Sequence, residues 1–145
     1  MRAQAQAILA AVVLTSVTLV GTPAQAETKS YTATLRPEEE VPQPGPPGAQ
    51  GTAKIVVDTA ANQLCYELTW SGMPAPEAGH IHKGPKGAVG PPLIPLDPAK
   101  NGPKACIAVN PVLLQDLVAD PSGHYVNLHT HDHSNGAIRG QLAPG

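Results

Sequence analysis

Apolar and polar side chains alternate in short runs along most of this chain, the two-residue period of a strand with one buried face. "SYTATL" (30–35), "GTAKIVVD" (51–58), "QLCYELTW" (63–70), "GHIHK" (79–83), "KACIAV" (104–109), "HYVNLHT" (124–130) and "AIRGQL" (137–142) read as strands, with a further one near "PPLIPL". Turn formers separate them: "TAAN" joins the second and third as a hairpin, and "DPSG" introduces "HYVNLHT". One segment follows a helical period instead. In "NPVLLQDLVADP", Asn110 is placed to cap, Pro111 to open the first turn, and Leu113, Leu114, Leu117 and Val118 to face the core before Pro121. The pattern predicts an all-β fold, an antiparallel β-sandwich or flattened Greek-key barrel with one short helix.

Parity then assigns faces. In "QLCYELTW" the apolar set is Leu64, Tyr66, Leu68 and Trp70, which turns Cys65 outward; in "KACIAV" the inward set is Ala105, Ile107 and Val109, which turns Cys106 outward. Ile81, Val126 and Leu128 go inward, so His80, His82, Tyr125, Asn127 and His129 take the other side, and His131 and His133 follow if the strand runs on. His124 points the opposite way and reads as a strand-end histidine without a ligand role. A three-residue loop over 134–136, with Gly136 left-handed, would set Leu142 opposite Leu128, Gln141 opposite His129 and Arg139 opposite His131. Arg139 would then stand on the histidine side, free to attract an anion or to pair with Asp132 or Glu77.

Composition narrows the setting. The first residues, with Arg2, an apolar run over 7–20 and the small-x-small triplet Ala24-Gln25-Ala26, read as a secretory signal over 1–26. The run is shorter than the ~20 apolar residues that span a bilayer, so no membrane insertion is expected. Taking 26 from 145 leaves 119 residues, 27–145, as one domain in a secreted or periplasmic setting. There, an even pair of cysteines predicts a disulfide, Cys65 to Cys106, with metal ligation by the thiols as the weaker reading. Phe is absent and the aromatics are Tyr31, Tyr66, Trp70 and Tyr125, so the core must be aliphatic. A net charge of −2, with Lys and Arg scattered, argues against nucleic acid as a partner. Ser30, Ser71, Ser122 and Ser134 lie in no nucleophile motif. The triplet Glu38 to Glu40 reads as a solvated turn, and "EEEVPQPGPPGAQG" as an extended connection.

The histidines carry the remaining chemistry. His80 and His82 lie ~6.6 Å apart along a strand, close enough to converge on one ion. A solvated His-x-His pair is the ordinary alternative. His129, with His131 or His133 at a hairpin tip, adds a second source of imidazoles, and Asp132 is a candidate outer partner for a ring nitrogen. Imidazole donors in an oxidising compartment favour a copper ion, with zinc as the alternative. "KGPKGAVGPP" would form the opposite rim.

"EEEVPQPGPPGAQGTAKIVVD", "LCYELTWSGM", "AGHIHKGPKGAVGPPLIPL", "ACIAV" and "YVNLHT…GAIRGQL" together resemble the CHRD domain, over nearly all of 31–142. The resemblance implies a secreted domain similar in architecture to the copper/zinc superoxide dismutase sandwich. In that enzyme a His-x-His strand and a later strand histidine bind copper, and His80, His82 and His129 match them in type and order. This chain lacks that enzyme's long zinc loop and bridging histidine. Three functions follow as expectations: copper storage, transfer or buffering; a metal-free module that binds another secreted protein; and, less favoured, a superoxide-directed oxidoreductase.

Overall fold

The computed structural model describes residues 28–145; the predicted signal over 1–26 lies outside the described residues. Two antiparallel sheets face each other. The first has the order β6-β3-β2-β1-β9, built from β1 (Thr28–Leu35), β2 (Gln50–Asp58), β3 (Gln63–Ser71), β6 (Lys104–Ala108) and β9 (Ala143–Pro144). The second has the order β5-β4-β7-β8, built from β4 (Ala78–Lys83), β5 (Pro92–Pro95), β7 (His124–Thr130) and β8 (His133–Gln141). Reciprocal backbone bonds between Arg36 and Arg139, at 2.9 and 3.0 Å, join the chain just after β1 to β8 and so tie the two sheets together there.

Alternation explains the core. Ala53, Ile55 and Val57 of β2 and Leu64, Tyr66 and Leu68 of β3 meet Ile81, Val126, Leu128 and Ile138 from the second sheet, all buried. The interior is mostly aliphatic, as a chain without Phe requires, with Tyr31 and Tyr66 as its buried aromatics. Helix α2 (Pro111–Ala119) forms where the period predicted it; the Asn110 side chain accepts from Val112 N at 2.9 Å, and Leu114 and Leu117 are fully buried. A one-turn helix, α1 (Pro98–Asn101), was not anticipated. Among the described residues no helix is long and apolar enough to cross a membrane.

Cys65 and Cys106 are direct partners across β3 and β6 and form a disulfide. It ties an edge strand to the sheet interior and closes a loop with a sequence separation of 41. Replacing both cysteines with alanine is expected to lower the unfolding free energy by about 2–4 kcal/mol. Urea denaturation of the oxidised chain and the variant measures this, and coincident midpoints would contradict it.

Two expectations need correction. The β7–β8 turn falls at His131 and Asp132, not over 134–136, because Thr130 pairs with His133. Arg139 therefore faces Asn127, Gln141 faces Tyr125, and Ile138 rather than Leu142 faces Leu128. The surplus residues of β8 are taken up as an irregularity beside His129, and Gly136 adopts its positive φ of 140° there. Face assignment survives for 138–141, where the register moves by an even number of residues, but not for His133, which pairs with Thr130 and so takes the face opposite to His129. The second correction concerns what lies outside the sheet. Tyr125, Asn127 and Arg139 point away from the core as parity requires, yet each is buried, because residues 84–91 and the segment around Glu40 fold back over them.

Candidate metal centre

His80 and His82 project from β4 on either side of inward Ile81, and His129 projects from the neighbouring β7, where it pairs with Ala78. One nitrogen from each of the three rings lies within 4.8 Å of the other two. His80 Nδ1 stands 3.1 Å from His129 Nε2. The rings of His80 and His82 meet edge-on, with centroids 5.6 Å apart. Strand spacing alone produces the convergence: two same-face positions on one strand and one on the next form a triangle.

Hydrogen bonds fix which nitrogens are available. His82 Nδ1 lies 2.9 Å from the Gly90 carbonyl, and His129 Nδ1 lies 2.9 Å from the Ser134 carbonyl. A carbonyl can only accept, so both Nδ1 atoms carry protons and both Nε2 atoms present lone pairs. His82 Nε2 is buried and has no hydrogen-bond partner among the described residues. This is the outer bonding that orients metal-binding imidazoles. In the neutral trio His80 Nδ1 donates to His129 Nε2, and His80 would carry its proton on Nε2 to offer Nδ1 to an ion.

A strap holds His82. Residues 84–91 cross the outer face of the second sheet and are pinned by Arg139, which donates to the Ala88 and Pro85 carbonyls at 2.8 and 3.0 Å. Gln141 donates to the Gly84 carbonyl at 2.7 Å. The Arg139 guanidinium lies 3.4 Å over the Tyr125 ring, and Tyr125 stacks on His82 with centroids 4.7 Å apart. Gly90 N donates to the Tyr125 hydroxyl at 3.1 Å. Only glycine fits position 90, where a Cβ would fall 1.7 Å from the Lys83 carbonyl oxygen. Arg139 is thus on the histidine side, but it is 2 % exposed and pairs with neither Asp132 nor Glu77.

Burial lowers the proton affinity of all three rings. His80 is held down by desolvation first and then by the neighbouring imidazoles; His82 and His129 are held down by desolvation, against the opposing pull of their carbonyl partners. The trio is therefore neutral, the ligating form, at pH 7. Proton NMR of the metal-free chain is expected to show these rings titrating below the ordinary 6.5. A midpoint above 6.5 for any of them would contradict the burial seen here.

The other predicted residues lie elsewhere. His131 is outside the trio, with its side chain 88 % exposed and Nδ1 3.9 Å from Glu77. It stands on the rim of a depression lined also by Glu77, Ala78, His80, His129, Thr130 and Ser134. His133 lines a separate hollow with Val41, Pro42 and Pro44. His124 is fully buried; its Nδ1 donates to the Asp120 carbonyl at 2.7 Å, and Nε2 lies 3.3 Å from Asp116.

Sequence reasoning missed Glu40. It is 5 % exposed rather than solvated, its carboxyl accepts from Asn127 Nδ2, and burial raises its pKa to about 8 against the opposing effects of Arg139 and Asn127. No local pattern separates Glu40 from Glu38 and Glu39; its burial comes from the turn Pro37–Glu39, which folds it onto β7.

Comparison with curated proteins found no match, and comparison with solved structures found none. The family model of the CHRD domain matches residues 31–142, from the middle of β1 to the residue after β8, and so includes all three histidines, both cysteines and Glu40. The chain therefore belongs to the CHRD domain family.

Proposed function

We propose that this chain is a secreted metal-binding domain that takes copper through His80, His82 and His129 and stores, transfers or buffers it. Domains of the family are extracellular, and the Cys65–Cys106 disulfide fits that setting. The observation that carries the reading is the convergence of three neutral imidazoles, two of them oriented by backbone carbonyls so that their Nε2 lone pairs remain available.

The donor set fits copper. It is made of imidazole nitrogens without a thiolate or carboxylate, a set that suits Cu(II), and affinity at such sites favours Cu(II) over Zn(II). His80 Nδ1, His82 Nε2 and His129 Nε2 would hold the ion, the depression beside Glu77 and His131 would admit it, and zinc would take the same donors less tightly. Binding without turnover is the better reading because Arg139, which would attract an anion only if it reached solvent, is spent on the strap carbonyls. Titration calorimetry of the full chain with Cu(II) tests the proposal. The account expects a stoichiometry of one, lost in the His80→Ala/His82→Ala double variant; unchanged binding in that variant would remove the trio as the site.

A further inference from the structure

Among the described residues four buried side-chain atoms have no hydrogen-bond partner: His82 Nε2, His124 Nε2, Asn127 Oδ1 and Thr130 Oγ1. His124 Nε2 sits 3.3 Å from the Asp116 carboxylate, and Thr130 points away from the histidine face by strand alternation. The other two lie on that face in adjacent rows, since His82 pairs with Tyr125 and His80 with Asn127. An ion held by the trio would satisfy His82 Nε2. Asn127 Oδ1 still lacks an account.

Asn127 is 3 % exposed. Its Nδ2 donates to both Glu40 oxygens, at 2.7 and 2.8 Å, and a Cβ on Gly136 of β8 would come 2.4 Å from the same nitrogen. The nitrogen end is therefore committed to the β8 side. The amide is flat, so its oxygen is directed away from the partners of its nitrogen; across the strand on β4 the neighbour of Asn127 is His80, and His129 follows two residues later on the same face of β7. A buried carbonyl oxygen with no donor is costly, and an electrophile beside it relieves that cost.

We infer that Asn127 Oδ1 is a further donor of the metal centre, an oxygen that faces the ion and competes with external ligands for the position the three imidazoles leave open. This rests on the metal-binding reading above. Glu40 sets the direction of the amide, which explains why an acidic side chain is buried beside a site whose own ligands are all neutral. The centre then has three nitrogens and one oxygen, and it resists small anions although its mouth is open.

The test uses the full chain loaded with one equivalent of Cu(II) and titrated with azide, followed by electron paramagnetic resonance and by the azide-to-copper absorption band. Asn127→Leu is expected to tighten azide binding about tenfold and to change the copper hyperfine coupling. Asn127→Ser, which keeps a shorter polar side chain, is expected to shift both in the same direction by less, and it serves if the leucine variant does not fold. Azide affinity and hyperfine coupling equal to wild type in the folded variants would overturn the inference and leave the trio standing. Failure of the wild-type chain itself to bind copper would overturn both.

Discussion

Alanine at position 82 is expected to raise the dissociation constant for Cu(II) by about two orders of magnitude or more, because disturbing even the outer partners of a metal-binding histidine costs roughly 10–100-fold. His82 is the most constrained of the three histidines. Its Nδ1 is held by Gly90, its ring is stacked on Tyr125, and its Nε2 has no competing partner. The same logic orders the other variants. Gly90→Ala, which would force a Cβ against the Lys83 carbonyl, is expected to weaken binding through the strap without touching a ligand. His131→Ala, on the rim, is expected to have a smaller effect than any trio variant, and His133→Ala a smaller one still. Calorimetry across this series checks the order, and a His133→Ala loss equal to that of His82→Ala would break it.

The second large effect concerns Glu40 and stability. Its folded pKa, about 8, lies above the ordinary 4.5, so the folded chain binds this proton more tightly than the unfolded chain does. The sign is opposite to that of a salt-bridged carboxylate: the cost is absent below pH 4.5, grows as pH rises, and is complete above about 8. Its size is on the order of 5 kcal/mol. Glu40→Gln keeps an acceptor for Asn127 and removes the charge. The variant is expected to gain on wild type steadily between pH 5 and 8 in chemical denaturation, and parallel stability curves would contradict the buried carboxyl.

Much of the architecture was legible because alternation leaves little freedom. Ile81 between His80 and His82, and Leu128 before His129, fix the faces of β4 and β7 whatever the loops do. Adjacency was less legible. The register of β8 was misplaced because Gly136 reads locally as a turn residue, whereas its positive φ serves the approach of Glu40, whose Oε2 would lie 2.3 Å from a Cβ there. That contact spans the chain from 40 to 136, and no local pattern encodes it. Burial of Tyr125, Asn127 and Arg139 was hidden for a similar reason. Parity tells which side a residue faces, and only the path of residues 84–91 tells what covers it.

Anomalous diffraction at the copper edge, from crystals of the full chain grown with one equivalent of Cu(II), tests the central claim most directly. The account predicts one dominant peak bounded by His80 Nδ1, His82 Nε2 and His129 Nε2. A dominant peak at His131, at His133 or at the chain's first residues, with none among the trio, would contradict it.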